Sequence, residues 1–174
     1  GFVWFFKFNP TQSFATIGAT YNDNGYLFLR FLPSLANAML PAVFYLLCKG
    51  LKLKQRTALL IGLAVLLENG LITQGRFILI DSFLILFGFA SLLAWLVWRR
   101  THKRHWLVYT ALLAGASLSV KWTGLLFLML ILCIEVSTSP RFVTAVKRSL
   151  ALLSVSFLVY FASFMIQFSL LTKT

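Results

Sequence analysis

Between two long apolar runs lies Glu68–Ser82, which carries Glu68, Arg76 and Asp81, with Asn69 beside the first. The chain has only four acidic residues, and two of them are in this stretch. A charged group at the edge of a lipid-facing helix is costly unless it pairs or meets water, so it marks a candidate functional site. Three cations near a lipid boundary, Arg30, Arg76 and Lys121, suit a phosphate. Guanidiniums grip such a group bidentately, and an ammonium holds it as a point charge. Asp81 or Glu68 could orient an arginine or meet the hydroxyls of a polar ligand. An amphiphile with a phosphate head and a long tail fits such a site. The same residues admit a plainer reading, in which Arg76 and Asp81 only satisfy each other and Lys121 is an interfacial anchor.

The elements that must position these groups follow from composition. Of 174 residues, 60% are hydrophobic and 11% charged, and the mean hydropathy is +0.88. A soluble domain carries about a quarter charged residues, so this is a membrane protein. The net charge of +12 does not point to nucleic acid, because the basic residues fall in short clusters between apolar runs. Cys48 and Cys133 lie in or at the end of apolar segments and read as reduced packing residues.

The expected fold is all-α, a polytopic transmembrane helix bundle forming one domain over residues 1–174. Gly1–Phe6 reads as the tail of a truncated N-terminal helix, and 7–27 as an outer loop with a turn at Asn22–Gly25. About six spans follow, at Tyr26–Cys48, Thr57–Leu67, Phe77–Trp98, Trp106–Val120, Leu125–Val136 and Ser149–Leu171. The fourth and fifth runs are short and fit a helical pair that stops below the far surface. Trp98, Trp106 and Trp122 read as interfacial anchors. The clusters at Lys49–Arg56, Arg99–Arg104 and Arg141–Arg148 satisfy the positive-inside rule together. That topology sends Arg30, Glu68, Arg76, Asp81 and Lys121 to the opposite, outer ends of their helices.

Several chemistries lack their residues. No glycine-rich loop of the nucleotide-binding kinds is present, and no DxD pair would hold a nucleotide diphosphate through a metal. His102 and His105 stand in a basic loop with no carboxylate or cysteine beside them, a poor metal site. Whether a divalent metal takes part is left open by the residues.

Gln74-Gly75-Arg76-Phe77-Ile78-Leu79-Ile80-Asp81-Ser82 resembles a motif of the dolichyl-phosphate-mannose protein O-mannosyltransferases. Phe14–Tyr21, Tyr26–Leu35 and Ser119–Gly124 resemble further segments of that family in the same order. The resemblance covers roughly Gly1 to Val136 and implies a C-type membrane glycosyltransferase. Such an enzyme moves mannose from a polyprenyl-phosphate carrier, with inversion, to a serine or threonine hydroxyl of an acceptor protein. It acts on the extracytoplasmic face of a bacterial plasma membrane or an endoplasmic reticulum membrane. Arg30, Arg76 and Lys121 match positions able to serve the phosphate, and Asp81 matches an acidic position. The family's catalytic acidic pair belongs to a first outer loop that would precede Gly1. No catalytic base is therefore expected here, and this stretch alone is expected to be inactive. Membrane lipid is the expected surrounding, and a dimer with itself or with a paralogue is compatible with this reading. Three other readings compete: another lipid-phosphate-sugar transferase, a transporter, which needs polar residues deep in several spans, and a non-catalytic membrane subunit.

Overall fold

Apolar runs enter lipid as helices because hydrocarbon offers no partner to an open peptide group. The computed structural model describes residues 25–76 and 80–171, and among these every regular element is helical. α1 spans Gly25–Gly50, α2 Gln55–Leu66, α3 Asn69–Arg76 and α4 Asp81–Thr101. α5 spans Arg104–Val120, α6 Leu125–Thr138 and α7 Phe142–Leu171, with a 3-10 turn at Trp122–Gly124 before α6. The expected helix tail at Gly1–Phe6 lies outside the described residues. So does the outer loop, apart from residues 25–27, which already belong to α1.

Among the described residues three helices are long and apolar enough to cross a membrane: α1 over Arg30–Gly50, α4 and α7. α2 and α3 pass only as a pair, bent by 51°. The count is therefore three spans, or four with the bent pair, fewer than the six expected. Length is the reason. α5 has 17 residues and α6 has 14, so at 1.5 Å per residue they reach only about 25 and 21 Å, short of the ~30 Å hydrocarbon core.

α4 is central, packing against α1 on one side and against α5 and α6 on the other, and α7 closes over α5. The core gathers Trp95 and Trp98 of α4, Ala111 and Ala114 of α5, Leu128 and Ile131 of α6, and Leu152 of α7. Small residues set these distances, as transmembrane interfaces require. A Cβ on Gly88 would collide with the Phe127 ring, and one on Gly115 would stand 2.7 Å from the Ser156 carbonyl oxygen. Serines then join the helices. Ser117 donates to the Leu84 carbonyl at 3.1 Å, and Ser156 to the Ala111 carbonyl at 2.9 Å. α7 is left largely exposed, with 11% of its apolar window buried.

The helix ends sort by charge. Arg100, near the end of α4, donates to the carbonyls of Lys49, at 3.1 Å, and of Gly50, so α1 and α4 end together. Arg99 reaches Thr138 at the end of α6, at 2.7 Å. All three basic clusters therefore share one end of the bundle.

Candidate functional site

The opposite end carries the groups with chemical potential. Asp81 opens α4, in the first turn, where the helix dipole favours a negative charge. Lys121 follows the last residue of α5 in an extended conformation, which turns its side chain off the helix axis. The two side chains form an ion pair, Lys121 being 46% and Asp81 27% exposed. A pair this open to its surroundings contributes between nothing and about 1 kcal/mol to stability. Structural support alone is a weak reason to hold two charges there. The Lys121 ammonium has three donors, and Asp81 accounts for one of them.

α3 brings the next residues in. Ser34 Oγ lies 2.7 Å from the Gly75 carbonyl oxygen and 2.9 Å from that of Arg30, one turn earlier in α1. Asn37 donates to the Leu71 carbonyl, 2.5 Å away. These bonds hold the start of α1 against the end of α3, so Arg30 and Arg76 belong to the same end of the bundle as Asp81 and Lys121. Arg30 is exposed. Arg76 closes α3, and its side chain lies outside the described residues, so the Arg76–Asp81 pairing suggested by sequence lies outside them too. Glu68 and Asn69 stand at the far, N-terminal end of α3. Glu68 is exposed and accepts from the Gly70 N–H at 3.1 Å, capping α3 rather than facing Lys121.

Between α1 and the bent pair lies a cleft of about 250 Å³, lined by Ser34, Asn37 and Gly75 on its polar side and by Val65, Leu66, Leu71 and Ile72 on its apolar side. Asn37 Oδ1 and Gln74 Oε1 are buried without a hydrogen-bond partner among the described residues. Buried amide oxygens left open carry a desolvation penalty of about 1–3 kcal/mol each, which a water or a ligand hydroxyl would relieve. Sequence analysis gives no site role to Ser34, Asn37 or Gln74, although Ser34 and Gln74 fall in segments that resemble the family. Their signal was polarity inside or beside an apolar run, at positions 34 and 37 on one face of α1.

Glu135 was also missed, within the run read as wholly apolar. It is 1% exposed and pairs with Arg99 at 3.2 Å and Arg148 at 3.3 Å. The two guanidiniums also lie over the rings of Trp95 and Trp98, at 5.3 and 5.1 Å from the ring centroids. A stripe at 128, 131 and 135 put the carboxylate on the buried face of α6. Starting α7 at Phe142 rather than at Ser149 carries Arg148 within reach. This cluster belongs to the basic end and ties α4, α6 and α7.

Other expectations change with it. Trp98 is a core residue, 5% exposed, with the Arg148 guanidinium over its ring, whereas Trp122 is 66% exposed. Cys48 is buried, but Cys133 is exposed. His102 ends α4 in the left-handed conformation with φ 52°, and its ring stacks edge-on to Trp98. Among the described residues no three His, Cys, Asp or Glu side chains gather as metal ligands.

Comparison with known proteins gives this arrangement a family. The family model described as dolichyl-phosphate-mannose-protein mannosyltransferase matches residues 1–172. Protein O-mannosyl-transferase 1 of Rattus norvegicus is 31% identical over 140 residues, which is 75% of this chain and 19% of that protein. Protein O-mannosyltransferase 1 of Drosophila melanogaster is 30% identical over 192 aligned positions, 99% of this chain and 22% of that protein. Dolichyl-phosphate-mannose--protein mannosyltransferase 1 of Candida albicans is 30% identical across 95% of this chain and 21% of its own length. The chain thus spans about a fifth of the length of the curated relatives it matches. No solved structure matches it. An integral membrane helix bundle matched over nearly its whole length, this chain belongs to the dolichyl-phosphate-mannose-protein mannosyltransferase family.

Proposed function

We propose that this chain forms the donor-phosphate side of a membrane mannosyltransferase, which moves mannose from a dolichyl- or polyprenyl-phosphate carrier to a protein serine or threonine hydroxyl with inversion. The carrying observation is the Lys121–Asp81 pair, held at the end of the bundle opposite the basic clusters. Asp81 keeps the ammonium in place, and the remaining donors of Lys121, with Arg30 and Arg76, receive the phosphate. As the glycosidic bond breaks, negative charge grows on that phosphate. Fixed cations stabilise it more in the transition state than in the ground state. The cleft beside α3 offers the Asn37 amide oxygen to a sugar hydroxyl and leucine and isoleucine side chains to the first isoprene units.

Asp81 is a positioning residue in this reading, since its carboxylate is engaged by the Lys121 ammonium. We assign the general base to the family's first outer loop and to none of the described residues. The charge-bearing end then faces the extracytoplasmic side, with the basic clusters inside, and the short α5 and α6 return the chain between the two ends without each crossing the full hydrocarbon thickness. An endoplasmic reticulum membrane suits the eukaryotic relatives, and a bacterial plasma membrane presents the same two faces.

The test is transfer of mannose from dolichyl-phosphate mannose to an acceptor peptide by the full-length enzyme. Lys121→Ala is expected to lower kcat/KM by about 100-fold, the usual effect of removing one charge-stabilising donor. Asp81→Asn is expected to lose less, and Lys121→Arg to retain most activity. Membrane insertion should be unchanged throughout. Activity within about twofold of wild type in both Lys121→Ala and Asp81→Asn would remove the proposal.

A further inference from the structure

The basic end of the bundle is far from neutral. Eleven lysines and arginines lie in 49–56, 99–104 and 141–148, and Glu135 is the one carboxylate described among them. It is already occupied by Arg99 and Arg148. Between α1, α4 and α5 at this end a cavity of about 300 Å³ opens, lined by Lys49, Arg100 and Trp106 together with Leu46, Leu93 and Val97. The apolar lining sits one or two helical turns deeper than the cations: Leu46 lies a turn before Lys49, and Val97 and Leu93 one and two turns before Arg100. The wall therefore grades from charge to hydrocarbon along the membrane normal.

Arg100 is fixed at the mouth. Both of its described bonds, to the Lys49 and Gly50 carbonyls, leave from Nη2. Arg100 is exposed and lines the cavity, and a guanidinium held in one orientation binds an oxyanion better than a free one. Lys49 is exposed beside it. Trp106 stands half-buried in the first turn of α5, the level at which an indole ring bridges headgroups and tails.

We propose that this cavity is a binding site for an anionic phospholipid, its headgroup phosphate between Lys49 and Arg100 and an acyl chain along Leu46, Leu93 and Val97. The site is separate from the Lys121–Asp81 end and stands whether or not that end binds a sugar donor. Charge complementarity selects the lipid. A choline headgroup would bring another cation into a region with one carboxylate for eleven, whereas glycerol or serine headgroups leave net negative charge. Free phosphate would satisfy the cations but leave the apolar wall unused.

The test uses the full-length protein in vesicles of phosphatidylcholine containing brominated phosphatidylglycerol or brominated phosphatidylcholine. Quenching of Trp106 is read as the difference between wild type and Trp106→Phe. Brominated phosphatidylglycerol is expected to quench with at least fivefold greater apparent affinity. Lys49→Gln and Arg100→Gln should each reduce that preference roughly fivefold, the factor corresponding to about 1 kcal/mol per cation at an anionic surface. Lys54→Gln, outside the cavity, should leave it nearly unchanged. Should Arg100→Gln loosen α1 from α4, Lys49→Gln carries the test, because the bundle uses only the backbone of Lys49. Equal quenching by both lipids overturns the proposal, as does a preference that survives Lys49→Gln or falls equally in Lys54→Gln. Displacement of phosphatidylglycerol by inorganic phosphate alone overturns the acyl-chain contact.

Discussion

Glu135 is held by two arginines at once, and this makes a sharp prediction about how their removal combines. The carboxylate is 1% exposed, while the Arg99 and Arg148 side chains are 32% and 40% exposed. Removing either arginine leaves the other, and the lost cation was half in solvent already. Arg99→Gln or Arg148→Gln should therefore cost about 1 kcal/mol each, counting the ring contact. Removing both strands a buried carboxylate with no cation, which costs about 3–5 kcal/mol. The double variant should fall about 4 kcal/mol below wild type, where simple addition gives about 2. Adding Glu135→Gln to the double variant should then restore about 2 kcal/mol, because the stranded charge is gone. Reversible unfolding in mixed micelles of increasing denaturing detergent measures the four variants against wild type. A double variant within about 0.5 kcal/mol of the summed singles would refute the reasoning, as would a triple variant less stable than the double.

Two further perturbations test the packing. Gly88→Ala drives a Cβ into the Phe127 ring and should destabilise by about 1–3 kcal/mol. Phe127→Leu in the same protein should recover most of that loss in the same unfolding assay. Ser156→Ala removes the bond to the Ala111 carbonyl and should cost only about 0.6 kcal/mol, the usual value for a hydrogen bond between membrane helices. A loss above about 2 kcal/mol would mean that Ser156 does more than bridge α5 and α7.

The long elements were legible in the sequence because lipid imposes a simple rule of length and apolarity. α1, α4 and α7 appear close to where their runs lie, and the small residues of Trp106–Val120 do form the close face of α5. The three basic clusters do share one end. What stayed hidden depends on a third dimension that periodicity does not carry. α3 falls between the expected spans because Asn69–Arg76 is polar; it is helical because Glu68 caps it and Ser34 and Asn37 of α1 donate to its carbonyls. Glu135 carries no local signal in its apolar run, since its partners lie 36 residues before it and 13 after. Trp98 looked like an anchor until Arg148, from another helix, came to lie over it. The Asp81–Lys121 contact needed the folded chain as well, though the sequence had already put both residues at one depth.

The 51° break between α2 and α3 has a consequence for solvent. A helix interrupted at Leu67–Glu68 gives up part of its ladder of internal bonds, and acyl chains cannot replace what is lost. Moisture must therefore reach this notch, or neighbouring protein must cover it. A wet indentation beside Asn37 and Gln74 would thin the barrier locally and let a hydrophilic molecule descend partway into the bilayer while its greasy companion stays in the leaflet.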